Sequence, residues 1–113
     1  MSRLPTEVKI IDMTYRIEYV ERPSDVDIFR RESLWGQCDF WTRTIRVYAS
    51  NRPAADVHQT IWHELIHAIC EKMHIHTDAG DLNDNETAID LLATAINAIL
   101  QDNPALGLRQ ESE

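Results

Sequence analysis

The apolar positions in the second half of the chain repeat with the 3.6-residue period of an α-helix. A first helix is predicted over residues 54–73, because Pro53 suits a helix start and the period holds throughout this stretch. A second helix is predicted to begin at a cap on Asn83 or Asp84 and to end near Gln101. The two helices should pack together through apolar stripes formed by Trp62, Leu65, Ile66, Ile69 and Met73 on the first and Ile89, Leu92, Ile96, Ile99 and Leu100 on the second.

The first half of the chain shows the two-residue alternation that is typical of strands. Residues 8–20 predict two short strands or a hairpin that turns near Asp12, and residues 38–48 predict a second hairpin that turns near Arg43. Residues 24–31 suggest a short helix between them. Because the strands precede the helices instead of alternating with them, we predict an α+β fold, in which a small antiparallel or mixed sheet packs against two helices.

Length and charge narrow the possible functions. The 113 residues suffice for one domain with a single core, which we expect to span residues 1–104, and residues 105–113 are expected to form a flexible tail. The formal net charge of -8 and the scattered Lys and Arg residues argue against a nucleic-acid partner. No apolar run reaches transmembrane length and no signal-like segment begins the chain, so no membrane partner is expected.

The aromatic and sulfur-containing residues suggest structural roles. Two cysteines, Cys38 and Cys70, are too few for a disulfide scaffold, which favours a cytoplasmic location in a bacterium or in a phage-infected host. Cys70 shares a helix face with the histidines, but a buried small apolar side chain is its expected role. The three tryptophans are expected to belong to the core or its rim; they are Trp35, Trp41 and Trp62.

The most informative feature is the string His63-Glu64-Leu65-Ile66-His67 within the first predicted helix. Histidines four residues apart lie one turn apart on one face, so both imidazoles can bind a single zinc ion. The glutamate between them lies about 100° round the helix, beside the metal. From there it can act as general base on a metal-activated water. A single histidine is usually an ordinary, partly buried side chain, but this spacing favours a zinc site.

A catalytic zinc needs a third protein ligand and one open position. Glu86 lies in the first turn of the second predicted helix, and Asp90 lies one turn further on the same face. Glu86 can complete a set of ligands with His63 and His67, and Asp90 can accept the free ring N–H of a ligand histidine, most plausibly His63. The simpler interpretation, two solvated acids on a helix surface, is less favoured after an HExxH string.

The HExxH string followed by Asn85-Glu86-Thr87-Ala88-Ile89-Asp90 resembles the gluzincin arrangement of zinc metallopeptidases. The small size and the strands before the helix are most similar to the minimal, zincin-like phage and prophage metallopeptidases related to the ImmA/IrrE group. The resemblance covers about residues 35–103. It implies one zinc ion per chain, with His63, His67 and Glu86 as ligands and Glu64 as catalytic base.

Residues 44–48 form the predicted strand that leads into the HExxH helix. If this strand is an edge of the sheet, an extended substrate could pair with it, which would make Arg46, Val47 and Tyr48 substrate-binding residues. A plain structural strand is the alternative interpretation.

The leading hypothesis is therefore a zinc-dependent metallopeptidase that hydrolyses a peptide or protein substrate. The alternative is a non-catalytic zinc-binding interaction module, in which the same ligands hold a structural or vestigial metal. A third interpretation, a metal-free interaction protein, requires the spacing of the histidines and acids to be coincidental.

Overall fold

The computed structural model describes residues 4–107, in which a four-stranded sheet packs against one helix and that helix packs against a second. The strands of the sheet are β1 (Glu7–Ile10), β2 (Met13–Val20), β3 (Gly36–Asp39) and β4 (Thr44–Tyr48). The helices are α1 (Ala54–Met73) and α2 (Glu86–Asp102). Between the helices lie the two short strands β5 (His76–Thr77) and β6 (Gly80–Asp81), which pair with each other. Short 3-10 helices occupy Pro23–Asp25, Leu82–Asp84 and Pro104–Gly107.

The sheet has the strand order β1-β2-β4-β3. The hairpins β1–β2 and β3–β4 are antiparallel, as the alternation predicted, while β2 and β4 pair in parallel and make the sheet mixed. In the parallel pair, Ile17 lies opposite Ile45 and Tyr19 lies opposite Val47. The predicted α+β fold is confirmed.

The hypothesis that the strand before the HExxH helix is an edge of the sheet is wrong. β4 pairs with β2 on one side and with β3 on the other, so its backbone cannot accept a further strand. The edge next to α1 is instead β3, at Gly36–Asp39. The parallel contact that covers β4 joins distant parts of the chain, which the local alternation of residues could not reveal.

The prediction of a short helix over residues 24–31 is also wrong. This segment contains only a 3-10 turn at Pro23–Asp25. After it, the buried carboxylate of Asp27 accepts hydrogen bonds from the backbone N–H groups of Phe29 and Arg31. Side-chain acceptors of this kind compete with the backbone carbonyls of a helix. These hydrogen bonds lower the pKa of Asp27 to about 2 and fix an irregular loop that leads into β3.

The core lies between the sheet and α1. Its buried apolar residues are Ile10, Tyr15, Ile17, Ile45, Val47, Val57, Ile61, Leu65 and Ala68. A smaller cluster joins the two helices and consists of Ile66, Cys70, Ile89 and Ala93. The apolar stripe predicted for α2 is therefore correct only in part, because Leu92 and Ile99 are 43% and 51% exposed. Ala93, a residue too small to stand out in the pattern, takes their place in the contact.

The helix ends differ slightly from expectation. α1 spans residues 54–73 as predicted, whereas α2 is capped by Asn85, whose side chain accepts a hydrogen bond from the Ala88 N–H. Residues 105–107 of the predicted tail belong to a 3-10 helix, and residues 108–113 lie outside the described residues.

Within residues 4–107, neither helix is long and apolar enough to cross a bilayer.

Candidate metal centre

The two histidines of the HExxH string lie on the side of α1 that faces α2. They are held firmly, since α1 buries Ile61 and Leu65 in the core on its opposite side. The imidazoles of His63 and His67 remain 20% and 13% exposed, so they border a cavity without being sealed from it.

Glu86 brings the third donor from the first turn of α2. Its two carboxylate oxygens lie 3.0 Å from His63 Nε2 and 2.8 Å from His67 Nε2, and the two Nε2 atoms lie 3.3 Å apart. Donor atoms about 2.0–2.1 Å from a tetrahedral zinc ion are separated from each other by about 3.3 Å. The three side chains therefore converge with nearly the spacing that a tetrahedral zinc ion requires.

The chemistry of this cluster also fits zinc. Two imidazole nitrogens and one carboxylate oxygen are a common ligand set for zinc in enzymes. Among residues 4–107, His63, His67 and Glu86 form the one group of three potential metal ligands whose atoms lie within 4.8 Å of one another. No fourth His, Cys, Asp or Glu side chain of the described residues belongs to this group, so the three ligands would leave the fourth position of a tetrahedral zinc ion open.

The remaining ring nitrogens of both histidines have acceptors that fix their tautomers. His63 Nδ1 lies 3.3 Å from Asp90 Oδ1, and His67 Nδ1 lies 2.5 Å from Asn83 Oδ1. A carboxylate and an amide oxygen only accept hydrogen bonds, so both contacts favour the tautomer that carries its proton on Nδ1. In that tautomer the Nε2 lone pair is available to a metal ion. Asp90 occupies the place predicted for it.

Asn83 contacts a proposed ligand, His67, a role that the sequence did not predict. The sequence indicated Asn83 only as a possible cap of α2. It lies in the 3-10 turn before α2, and Asn85 supplies the cap instead. The eight residues 83–90 thus provide one ligand and the hydrogen-bond acceptors for the two other ligands. The sequence feature that points to Asn83 is its position three residues before Glu86, and an asparagine at that position fits a helix cap equally well.

Glu64 is buried beside the ligands, with 7% of its surface exposed. Burial raises the pKa of its carboxyl to about 6; the neighbouring His63 and His67 lower it, and Glu86 raises it. β3 passes directly over this carboxylate. A Cβ atom added at Gly36 would lie 3.1 Å from Glu64 Oε2 and 2.6 Å from the Cγ2 atom of Thr60, so only glycine leaves room for the strand at this point.

A cavity of about 710 Å³ opens over the cluster and runs between β3 and the start of α2. Of residues 4–107, four acidic residues line it and no Lys or Arg residue does. A divalent cation would therefore be attracted to this cavity. The acids are Glu64, Asp84, Glu86 and Asp90, and the opposite wall consists of Leu34, Trp35, Gly36, Gln37, Cys38 and Phe40.

The predicted substrate contacts at Arg46, Val47 and Tyr48 do not line this cavity. Arg46 bonds to the Glu18 carboxylate and to the backbone carbonyl of Asp25, and Val47 is fully buried in the core. Tyr48 packs against Trp35 from behind the wall. β4 lies between β2 and β3, so an extended peptide cannot pair with it and be held beside these side chains.

The tryptophans were expected in the core or at its rim. Trp62 is partly buried between the two apolar clusters, which agrees with this expectation. Trp41 is 94% exposed beside the β3–β4 turn, so for Trp41 the prediction is wrong. Trp35 is 62% exposed and lines the cavity.

Comparisons of the chain with known protein families, with characterised proteins and with solved structures found no match. The resemblance to gluzincins therefore depends on the residues of the two helices alone. Their geometry carries the functional argument.

Proposed function

We propose that the protein is a zinc-dependent peptidase that binds one zinc ion through His63, His67 and Glu86. The observation that carries the proposal is the convergence of the three side chains: the Nε2 atoms of His63 and His67 lie 3.3 Å apart, the two carboxylate oxygens of Glu86 lie 3.0 Å and 2.8 Å from them, and a buried glutamate lies beside the group. A purely structural zinc site is normally closed by a fourth protein ligand. It also has no need of a buried acid such as Glu64.

The chain's own groups divide the remaining work. A bound zinc ion supplies a Lewis acid that polarises the scissile carbonyl and makes water more acidic. Glu64 accepts the proton of the attacking water and then delivers it to the amine that leaves when the C–N bond breaks. Burial raises the pKa of the Glu64 carboxyl, which makes its carboxylate a stronger base for the first of these proton transfers.

The substrate's path follows from the sheet. β3 has one paired side, toward β4, and its other side borders the cavity. An extended peptide can add to this free edge by main-chain hydrogen bonds. Because Gly36 has no side chain, β3 lies directly against Glu64, so a peptide paired with this edge would lie beside the carboxylate. The strand that would pair with an extended substrate is therefore β3 and not β4.

The expected cytosolic location remains part of the proposal, and cell fractionation tests it.

The decisive experiment compares the wild type with Glu64→Gln. Zinc content is measured by elemental mass spectrometry, and hydrolysis is measured by mass spectrometry of a digested peptide library. We expect about one zinc ion per chain in both proteins and a loss of hydrolysis by about 10²–10⁴-fold in the variant. Full activity in Glu64→Gln would refute the proposed mechanism. A wild type that binds zinc but cleaves no peptide would identify the protein as a zinc-binding module.

A further inference from the structure

Trp35 is an exposed aromatic residue that is nevertheless held in a fixed position. Its ring lies 4.2 Å from the guanidinium carbon of Arg52 and 5.9 Å from the ring of Tyr48, centroid to centroid. Its backbone carbonyl accepts a hydrogen bond of 2.9 Å from the Tyr48 N–H, which extends the β3–β4 pairing by one residue. A side chain that is 62% exposed would ordinarily sample several rotamers, but this one is supported from behind.

Arg52 supports the Trp35 ring and is itself held by hydrogen bonds within the protein. Its guanidinium donates to the backbone carbonyls of Tyr48 and Asp56, at 2.6 Å and 3.1 Å, and to the Thr60 hydroxyl at 2.9 Å. Its Nε atom is buried and has no partner among the described residues. Both terminal nitrogens of this arginine are therefore bound to groups of the protein itself, and Arg52 does not line the cavity.

The supported ring shares a cavity with the proposed catalytic base. Trp35 and Glu64 both line it, and Arg52, which lies against the Trp35 ring, donates to Thr60, one turn before Glu64 on α1. The Cβ position of Gly36 lies 3.1 Å from Glu64 Oε2. A peptide that pairs with β3 and is cleaved beside Glu64 would thus place a side chain near the scissile bond within reach of Trp35.

We propose that Trp35 determines substrate specificity by binding a large apolar side chain, above all an aromatic one, next to the scissile bond. This inference rests on the proposed peptidase function. The charges around the ring favour an apolar group. The guanidinium of Arg52 behind the ring disfavours a basic side chain at this position, and the acidic residues Glu86 and Asp90 across the cavity disfavour an acidic one. Leu34 extends the apolar surface on the same wall.

The chain provides a matched control for the test. Trp41 is a second exposed tryptophan in the same hairpin, but it does not line the cavity. Trp35→Ala, Trp35→Phe and Trp41→Ala are compared with the wild type by mass spectrometry of a digested peptide library and then with two peptides that differ only in Phe or Gly beside the cleaved bond. Trp35→Ala should fold normally, because a mostly exposed side chain contributes little to the core.

We expect Trp35→Ala to lower kcat/KM for the Phe peptide by about 10- to 100-fold and to leave the Gly peptide within about threefold. Trp35→Phe should restore most of the preference, and Trp41→Ala should not alter it. Equal losses on both peptides would show a merely structural role and overturn the inference, as would an unchanged preference.

A measurement without hydrolysis separates this inference from the proposed function. The zinc-loaded Glu64→Gln protein is titrated with N-acetyl-L-phenylalaninamide, and the indole N–H resonances are followed by NMR. The inference requires the Trp35 resonance to shift in a saturable manner while the Trp41 resonance does not. Shifts of equal size would overturn it even if peptides are cleaved. If the wild type binds no zinc, the peptidase proposal fails, and a selective shift of Trp35 would then support only an apolar binding site.

Discussion

The two helices of the candidate metal centre are anchored very differently, although each contributes residues to it. α1 buries eight side chains against the sheet and α2, whereas α2 buries only Ile89 and Ala93. The histidines of α1 are therefore held by the main core, while Glu86 and Asp90 stand on a lightly anchored helix, with side chains 67% and 64% exposed. The part of the site on α1 is therefore fixed by the main core, and the part on α2 depends on the small apolar contact of Ile89 and Ala93 with α1.

This difference gives the metal a structural consequence in addition to its proposed chemical one. A zinc ion bound by His63, His67 and Glu86 would connect the firmly held helix to the lightly held one. Because such an ion binds the native state and not the unfolded chain, its binding free energy adds to stability. The start of α2 should gain most of this stabilisation.

The largest expected effect is the loss of zinc when the ligand of α2 is removed. Glu86→Ala should weaken zinc binding by more than the roughly 100-fold that is usual for changes outside the ligand set, because two protein ligands remain instead of three. The metal-free variant should retain nearly wild-type stability, since the Glu86 side chain is mostly exposed. Zinc affinity is measured by competition with a chromophoric chelator.

Asp84→Ala is the matched control for that experiment. Asp84 is an exposed acid that lines the same cavity, but it does not belong to the group of converging donors. The control should bind zinc nearly as the wild type does. Wild-type affinity in Glu86→Ala would mean that α2 contributes no ligand and would remove the proposed site.

The second effect concerns the contact that anchors α2. Ile89 is fully buried against α1, so Ile89→Ala should lower the free energy of unfolding by about 2–5 kcal/mol and also weaken zinc binding. Leu91→Ala, on the same helix but 65% exposed, should change stability by no more than about 0.5 kcal/mol. Urea denaturation measures both. A cost below about 1 kcal/mol at Ile89 would show that α2 is held by something other than this contact.

Zinc itself should sharpen the contrast between the helices. At a free zinc concentration of 100 times Kd, linkage predicts a stabilisation of about 2.7 kcal/mol. Hydrogen exchange should show added protection in the first turns of α2 and in the 3-10 helix Leu82–Asp84, with a smaller change in α1. Uniform protection of both helices would contradict the idea that α2 is the weaker half.

The sequence predicted the half of the site that depends on local pattern. The bounds of α1 and the spacing of His63 and His67 follow from a single helical period, and Glu86 follows from its place in the first turn of the next helix. The parallel pairing of β2 with β4 could not be predicted, because it joins strands that are separated by a loop and another strand. For the same reason the sequence did not show that β3, and not β4, is the edge strand beside the cavity.

The two asparagines before α2 show the same limit at the level of single residues. Asn83 and Asn85 are both short polar residues near a helix start, and either could cap it. The choice between them is made by the position of His67 on the other helix, which brings its Nδ1 to the Asn83 side chain. Asn85 is left to bond the Ala88 N–H. Tertiary geometry thus assigned different roles to residues that the pattern could not distinguish.

These roles lead to the smallest of the expected effects. Asn83→Ala should weaken zinc binding by about 10- to 100-fold, because His67 loses the acceptor that fixes its tautomer and ring orientation. Asn83→Asp keeps an oxygen acceptor and should retain tight binding. Asn85→Ala removes the helix cap, which should cost about 1 kcal/mol of stability with a smaller loss of zinc affinity. If Asn85→Ala weakens zinc binding as much as Asn83→Ala does, the start of α2 matters as a whole and Asn83 has no separate role in orienting His67.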